Sequence, residues 1–251
     1  MSTILVTGGT GTLGSLVTGR LRAAGHEVRA LSRRSAHHPV DLRRGSGLDA
    51  AIAGADTVVH CASNTRGAGR GDDEAARHLI GAARRAGVRH LVYISIVGVD
   101  RVPLGYYRRK FRVERMLEES GLGVTILRTT QFHDLVAVLA ETLAKLPVVP
   151  VPKGVRVQPV AAEEVAARLA ELAAAPPAGR VADMGGPETH TLADFVRAWL
   201  AAHGSTRRVV EVPLAGKAYA GFRRGGNLAP AHAVGTGTFA HYLAERHPAQ
   251  G

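Results

Sequence analysis

Short apolar runs alternate with amphipathic stretches through the first half of the chain. Runs rich in β-branched residues predict strands at Ile4–Val6, Glu27–Leu31, Thr57–His60, His90–Ile94 and Val124–Leu127. Apolar residues spaced three and four positions apart predict helices at Leu13–Ala24, Leu48–Ala53, Asp73–Ala86 and Tyr106–Ser120. Between the second and third of these strands, residues 37–41 leave room for only a turn and a further short strand. This alternation predicts βαβ units and a parallel sheet with helices on both faces.

The pattern loosens after Arg128. Helices are predicted at Leu135–Lys145, Ala161–Ala174, Leu192–His203 and Thr238–Arg246, and strands at Val181–Met184 and Val209–Val212. The proline-studded stretch 146–152 is interpreted as a loop or an edge strand. We expect residues 1–130 to form a nucleotide-binding domain to which residues 155–185 return. Residues 131–154 and 186–251 then form a small α+β region that binds substrate or acts as a lid.

Composition narrows the class of protein. The chain has 251 residues, 45% of them hydrophobic, which is enough for a sizeable core. Its apolar runs are too short for a membrane span, and the first residues do not resemble a signal peptide. A single cysteine, Cys61, excludes an internal disulfide. We therefore expect a cytoplasmic protein without a membrane partner.

The formal net charge of +11 raises the possibility of nucleic-acid binding. However, the basic residues are spread over many segments, and aromatic residues make up only 4% of the chain, so no stacking platform is visible. A solvated basic surface that attracts anionic ligands is the favoured interpretation. We expect no nucleic-acid partner.

A glycine-rich segment joins the first strand to the first helix and reads Gly8-Gly9-Thr10-Gly11-Thr12-Leu13-Gly14. Gly8 permits a tight turn, Gly11 lets the backbone approach a pyrophosphate, and Gly14 lets the helix pack close to the strand. The free N–H groups of the first helical turn then face the anion. Although a purely structural turn is the alternative, the strand and helix on either side favour a dinucleotide site.

The end of the second predicted strand indicates which dinucleotide binds. An NAD-binding protein would carry an acidic residue there for the ribose 2′-hydroxyl, whereas this chain has Ser32, Arg33 and Arg34. Arginine pairs with a 2′-phosphate through charge-assisted hydrogen bonds. We therefore predict a preference for NADP(H) over NAD(H), with Arg33 as the main contact. An exposed arginine pair without this role is the alternative.

Further cofactor contacts are predicted where the next strands end. Asp41 and Leu42 follow the short strand, where the Asp41 carboxylate can bond an adenine amino group or, equally, form a turn or helix cap. Cys61, Ala62 and Ser63 follow Thr57–His60 and allow close approach of a ribose. Cys61 is interpreted as a small buried residue rather than a nucleophile.

The candidate reaction centre lies on the helix that follows His90–Ile94. Tyr106 and Lys110 are four residues apart, so they share a helix face. A nearby ammonium would lower the tyrosine pKa and make Tyr106 a general acid, while Lys110 also holds the nicotinamide ribose. Tyr107 remains an alternative proton donor. Ser95, at the end of the preceding strand, is either a third catalytic member or simply a strand-ending serine.

The segment that follows the predicted strand Val124–Leu127 supplies four residues that we expect to line the substrate side of the pocket, namely Thr130, Gln131, Phe132 and His133. For His133, a polar pocket residue or a satisfied buried histidine is favoured over an acid–base role. The twelve histidines show no ligand-like spacing, so we propose no metal.

Taken together, these motifs resemble the short-chain dehydrogenase/reductase superfamily in its atypical, NmrA-like branch. The resemblance rests on the glycine segment and on Tyr93–Asp100, Tyr106–Lys110, Ile126–Arg128 with Gln131-Phe132, Gln158–Val160 through Glu164–Ala166, and Gly185–Pro187. It implies a Rossmann domain, a small C-terminal substrate domain and reduction of a small molecule, with quinones of aromatic polyketides as one substrate class. Some relatives of this branch are redox sensors that bind the dinucleotide without turnover and act through a protein partner.

From the sequence we therefore predict an α/β protein with a doubly wound parallel sheet that acts as an NADPH-dependent reductase. It would transfer hydride to a carbonyl or quinone of a flat, largely apolar molecule. A non-catalytic NAD(P) redox sensor is the alternative. The sequence leaves the oligomeric state open between monomer and homodimer.

Overall fold

The computed structural model describes residues 1–33, 40–65 and 67–246. Its strands are β1 Thr3–Thr7, β2 Glu27–Leu31, β3 Thr57–His60, β4 His90–Ile96, β5 Val124–Thr129, β6 Val148–Pro152, β7 Arg156–Val157, β8 Gly179–Arg180, β9 His190–Thr191 and β10 Arg208–Val212. Its helices are α1 Thr12–Ala23, α2 Leu48–Ile52, α3 Asp72–Arg85, α4 Gly105–Glu118, α5 His133–Leu143, α6 Ala162–Ala174, α7 Leu192–Ala202, α8 Lys217–Arg223 and α9 Phe239–Arg246.

The main sheet has the strand order β2-β1-β3-β4-β5-β8 among the described residues. β1 pairs in parallel with both β2 and β3, β3 with β4, and β5 with β8. Since β2 and β3 flank β1 on opposite sides, the chain reverses its direction across the sheet at this point. Open α/β sheets bind ligands at such a switch point, at the carboxyl ends of the strands. The predicted α/β class with a parallel Rossmann-type sheet is confirmed.

The chain divides into two compact units. The first comprises residues 1–95, 104–128 and 165–182, and the second comprises 96–103, 129–164 and 183–251. The first unit packs its helices on the sheet through a core that includes Leu5, Val58, Leu79, Leu91 and Val113. The division of the chain into cofactor and substrate regions, with the boundaries expected above, remains a prediction.

The second unit has its own core, formed by apolar residues of α5, β6, α7 and α9 that include Val136, Val149, Phe195 and Phe239. β6 pairs in parallel with β10, and β7 pairs antiparallel with β9. Of the two interpretations of the proline-studded stretch, the strand is therefore the one found.

Two predicted strands need comment. Instead of a strand at Val181–Met184, the structure has β8 at Gly179–Arg180, with only an isolated bridge between Met184 and Thr129. The β-branched Val181 favoured a strand that begins at that residue. In the structure, the Val181 N–H donates to the Ile126 carbonyl at 3.1 Å, and the hydrogen bonding with β5 ends there. The short strand expected over 37–41 lies mostly outside the described residues, as does Arg34.

Candidate active site

The glycine segment turns tightly between β1 and α1. Gly8 has a φ of +70°, and a Cβ there would lie 2.8 Å from the Ala62 backbone. A Cβ on Gly9 would lie 2.7 Å from the Ala30 side chain, and one on Gly14 would overlap the Gly8 carbonyl. Each of these positions therefore requires glycine because a neighbouring part of the chain already fills the space.

Gly11 differs because it is exposed and its hypothetical Cβ meets only the Gly8 carbonyl oxygen, at 3.3 Å. It caps α1, and within the described residues no side chain caps this helix and no acidic residue lies in its first turn. The N–H groups at the start of α1 thus have an open approach and a favourable helix dipole. This cradle fits the pyrophosphate of a dinucleotide.

A groove of about 560 Å³ opens at the switch point of the sheet. It brings together predicted cofactor residues from the three loops that follow β1, β2 and β3, namely Gly8, Thr10, Gly11, Ser32, Arg33, Asp41, Leu42, Cys61, Ala62 and Ser63. Gly9, Thr12, Leu13 and Gly14 shape the turn and the start of α1 without lining the groove. Arg33 is exposed at the groove, as a 2′-phosphate contact must be.

Sequence reasoning missed other residues that line the groove, namely Arg43, Asn64, Thr65, Gly71, Asp72 and Ala75. Asn64 and Thr65 directly continue the Cys61–Ser63 run at the carboxyl end of β3, so a longer reading of that edge would have included them. Asp72 begins α3 after Gly71, whose φ is +86°. In the sequence, the acidic run from Asp72 resembles an ordinary helix start.

Asp41 has a structural role in the described region. Its Oδ1 accepts the Arg43 backbone N–H at 3.0 Å, and its carbonyl accepts those of Arg44 and Gly45, both at 3.0 Å. The turn interpretation of Asp41 is thus confirmed, and its contact with adenine remains a prediction.

Cys61 is not activated. Burial raises the pKa of its thiol to about 12, and the nearby Lys110 charge only partly opposes this. A thiol that stays protonated at neutral pH is a poor nucleophile. The interpretation of Cys61 as a small residue beside the ligand is therefore supported over a nucleophilic one.

The Tyr106 hydroxyl contacts the groove through Ser63. Tyr106 Oη lies 3.0 Å from Ser63 Oγ, and Ser63 Oγ donates to Asp72 Oδ2 at 2.6 Å. Burial raises the pKa of Tyr106, the Ser63 hydrogen bond lowers it in part, and the Asp72 charge raises it further. Tyr106 is thus a neutral phenol at physiological pH.

The Lys110 side chain is buried, and its ammonium bonds to backbone. Its Nζ donates to the Ile94 carbonyl at 2.8 Å and lies 4.3 Å from the centre of the Tyr93 ring. Burial lowers the Lys110 pKa to about 8, although the charges of Asp72, Cys61 and Glu114 oppose that shift. The predicted lowering of the Tyr106 pKa by Lys110 is therefore wrong, because desolvation of Tyr106 dominates and the ammonium bonds to backbone.

The other two candidates near this centre are buried. Ser95 is 1% exposed, and its Oγ has no hydrogen-bond partner among the described residues. Tyr107 is 5% exposed, with its ring centre 6.5 Å from that of Tyr106. Tyr106 is the more accessible tyrosine of the pair.

The four predicted substrate residues belong to the second unit. Thr130 Oγ1 donates to the Gln158 carbonyl, and Phe132 forms an isolated backbone bridge with Val160. Gln131 Nε2 lies 3.5 Å from the Asn227 carbonyl. Their contact with a substrate remains a prediction.

His133 is buried and has its own partners in the second unit. Its Nε2 lies 3.0 Å from the Gly237 carbonyl, and its ring stacks on Tyr242 with centres 5.4 Å apart. Burial lowers its pKa, against the opposing effect of the Gly237 hydrogen bond. These contacts favour the interpretation of His133 as a buried, largely satisfied histidine.

Neither a metal centre nor a membrane-spanning helix is found among the described residues. No group of three or more His, Cys, Asp or Glu side chains there is arranged to hold a metal ion. Likewise, none of the helices described is both long and apolar enough to cross a bilayer.

Comparison with known proteins places these features in context. A family model described as NAD(P)H-binding matches residues 8–176. The chain is 35% identical over 144 residues to a (4-alkanoyl-5-oxo-2,5-dihydrofuran-3-yl)methyl phosphate reductase of Streptomyces griseus. The matched region covers 51% of this chain and 48% of that protein. The chain thus spans about half the length of this curated relative.

Solved structures share the fold at low identity. An Escherichia coli NADPH-dependent quinone oxidoreductase in complex with NADPH superposes with a TM-score of 0.81 at 21% identity, over 97% of this chain and 99% of that one. A nucleoside-diphosphate-sugar epimerase of Staphylococcus aureus superposes with a TM-score of 0.77 at 17% identity, over 96% and 99%. At such identities the likeness establishes the fold alone.

Proposed function

Because the chain belongs to the NAD(P)H-binding family, we propose that it is an NADPH-dependent reductase that transfers hydride to a carbonyl or quinone carbon. Family membership agrees with the resemblance predicted from the sequence. The observation that carries the proposal is the single groove that joins the glycine cradle, Arg33 and the hydroxyl of Ser63, which bonds Tyr106. The Streptomyces griseus relative is named as a reductase, which supports reduction as the type of reaction.

In this proposal, Gly8, Thr10 and Gly11 with the start of α1 hold the pyrophosphate, and Ser32 and Arg33 hold the 2′-phosphate. Arg34 and the loop residues Asp41, Leu42, Cys61 and Ala62 complete the cofactor site. Bound NADPH supplies the hydride. The preference for NADPH over NADH rests on the basic residues at the end of β2, where an NAD-binding protein needs an acid.

Tyr106 is the proposed proton donor to the oxygen of the acceptor. Its raised pKa keeps the proton on the phenol until charge develops on that oxygen. Lys110 fixes the local geometry through the Ile94 carbonyl, and its predicted contact with the ribose hydroxyls would require its ammonium to leave that carbonyl. Ser95 is the candidate for a second contact with the acceptor oxygen, because its buried Oγ has spare hydrogen-bonding capacity among the described residues.

The test is a turnover assay in which the purified protein is mixed with NADPH and a panel of quinones and ketones, and absorbance loss at the nicotinamide band is followed. We expect turnover of at least one acceptor with NADPH and slower turnover with NADH. Tight NADPH binding without turnover of any acceptor would contradict the reductase and favour the redox sensor. Retention on DNA that falls steeply with salt and is unaffected by NADPH would favour a nucleic-acid binder instead.

A further inference from the structure

A short chain of hydrogen bonds connects Tyr106 to a carboxylate that sequence reasoning did not assign. Tyr106 Oη lies 3.0 Å from Ser63 Oγ, which lies 2.6 Å from Asp72 Oδ2. Asp72 is 8% exposed, and Ser63 and Asp72 both line the groove. Three separate elements thus contribute to one chain of polar atoms, which are α4, the loop after β3 and the first residue of α3.

The number of available protons fixes the direction of this chain. A serine hydroxyl has one proton to donate, and an ionised carboxylate only accepts. Since Ser63 gives its proton to Asp72, its Oγ must accept the proton of Tyr106. The Tyr106 proton is therefore directed at Ser63, while burial and the Asp72 charge raise the pKa of the phenol and keep it neutral.

The Asp72 carboxylate is itself held in place. Its Oδ1 accepts the Asn64 backbone N–H at 2.9 Å, and it lies at the N-terminal end of α3, where the helix dipole favours negative charge. Lys110 supplies a nearby positive charge, since the Asp72 charge acts to raise the Lys110 pKa. A buried carboxylate with these partners keeps one orientation toward Ser63.

We propose that Ser63 and Asp72 are positioning residues for Tyr106, which hold its hydroxyl between turnovers, when its proton points at Ser63, and return a proton to it after the hydroxyl has given its own to the acceptor. The inference rests on the proposed reductase function, and it adds a route by which the general acid is recharged. The groove gives Asp72 contact with solvent at one end of the route.

The acceptor carbon gains hydride from NADPH and the acceptor oxygen gains the Tyr106 proton, which leaves NADP⁺ and a phenolate. Asp72 takes a proton from solvent and passes it to Ser63, as Ser63 gives its own proton to the phenolate. The net reaction consumes one hydride from NADPH and one proton from solvent, and all three side chains return to their starting states.

The kinetic test compares Ser63→Ala, Asp72→Asn and the double variant, with Asp73→Asn as the matched control. Asp73 lies in the same helical turn, but its Oδ2 faces Arg112 at 3.7 Å, and it does not line the groove. We expect kcat to fall roughly 10-fold in each single variant and no further in the double variant, because residues that act as one unit are not additive. The solvent deuterium isotope effect on kcat should rise in both single variants, and Ser63→Thr should restore most of kcat.

Additive losses, or losses confined to KM with an unchanged isotope effect, would overturn the proposal. Thermal melts check that each variant folds, and Ser63→Ala with its Ser63→Thr rescue carries the test if Asp72→Asn does not fold.

A second readout does not depend on turnover. Tyrosine labelled with ¹³C at Cζ reports ionisation by NMR, and a Tyr106→Phe variant identifies the Tyr106 signal. Because the Asp72 charge acts to raise the Tyr106 pKa, Asp72→Asn should lower the titration midpoint of Tyr106 more than Asp73→Asn does. Equal midpoints in the two variants would overturn the inference even if the protein reduces quinones. If no acceptor is turned over but the midpoint moves, the proposed function fails while the hydrogen-bonded chain stands.

Discussion

Polar side chains that are buried or half-buried serve different purposes in the two compact units. In the first unit, Ser63, Asp72 and Tyr106 bond one another at the edge of the groove. In the second unit, Gln158 and Glu164 bond the backbone of segments about seventy residues away. The first arrangement leaves polar side-chain atoms beside a cavity, whereas the second uses them to hold loops together. The arrangement in the first unit is suited to catalysis, whereas the side chains of the second unit supply hydrogen bonds that regular secondary structure would otherwise supply.

Gln158 is the clearest example in the second unit. Its Oε1 accepts the Ala229 N–H at 2.8 Å, and its Nε2 donates to the Gly186 carbonyl at 2.8 Å. Glu164 Oε1 similarly accepts from Thr236 N at 2.8 Å, Thr236 Oγ1 at 2.6 Å and Gly237 N at 3.0 Å. Because these loops have few ladder hydrogen bonds, the side chains satisfy their backbone groups.

The largest expected effect is at Tyr106, in the first unit. If the first unit uses its polar groups for chemistry, Tyr106→Phe should lower kcat roughly 10³-fold, because the proton donor is removed. The NADPH dissociation constant and the melting temperature should stay near those of the wild type. The same assay on Tyr107→Phe resolves the two tyrosines, and a larger loss in that variant would reassign the proton donor.

The opposite result is expected at Gln158, where a substitution should lower the stability of the fold rather than the catalytic activity. Gln158→Ala should lower the free energy of unfolding by about 3 kcal/mol, because buried backbone partners lose their hydrogen bonds. Chemical denaturation measures this directly. Gln131→Ala is the matched control, since the two hydrogen bonds that the Gln131 side chain makes with Asn227 and Gln158 are long, at 3.5 Å. Equal losses in the two variants would contradict a special structural role for Gln158.

His60 tests whether the polar core of the first unit also contributes to stability. Its Nδ1 lies 2.7 Å from Thr7 Oγ1, and burial, with help from the Lys110 charge, lowers its pKa to about 3. Between pH 6.5 and 3 the unfolded chain therefore binds more protons at this residue than the folded chain. The free energy of unfolding should fall by about 2 kcal/mol from pH 6.5 to pH 5 on this account.

Denaturant titrations across that pH range measure the effect. His60→Gln should flatten the slope, whatever it costs in absolute stability, while His232→Gln at an exposed position should leave the slope unchanged. An unchanged slope in His60→Gln would show that other groups account for the pH dependence.

The smallest effect concerns the choice of cofactor. Arg33→Ala should weaken NADPH binding roughly 10-fold and NADH binding hardly at all, because only NADPH carries the 2′-phosphate. Isothermal titration with both nucleotides is the measurement, and Arg20→Ala on the exposed side of α1 controls for the loss of one positive charge. Equal weakening of both nucleotides would remove Arg33 from the 2′-phosphate site.

The sequence predicted the first unit well because its elements are regular. Local sequence patterns specify β1, the glycine segment and α1. At Gly8, for example, the residue type follows directly from the positive φ of the backbone. The hydrogen bond between Ser63 and Asp72 had no such signal in the sequence. The turn at Gly71 brings the two residues together, and no periodic pattern of residues predicts that turn. The pKa direction of Tyr106 failed for a related reason, since spacing places Lys110 on the right helix face but does not reveal the Ile94 carbonyl that binds it.

In the second unit, sequence periodicity located the main helices but not the contacts between loops. α5 and α7 follow amphipathic patterns, and the Thr191 capping box marks the start of α7. The pairing of β6 with β10 joins segments about sixty residues apart, and no local pattern specifies that partner. Such long-range choices depend on packing and on side chains such as Gln158.

The Cys61 thiol at the groove has a consequence for the acceptors proposed above. Quinones are electrophiles that alkylate thiolates, so a reductase that binds them exposes its own cysteines to covalent inactivation. With a pKa of about 12, only about one Cys61 side chain in 10⁵ is ionised at pH 7. In the proposed reductase, burial of the thiol would therefore limit its alkylation by a quinone acceptor and allow a small, compact residue beside the cofactor site.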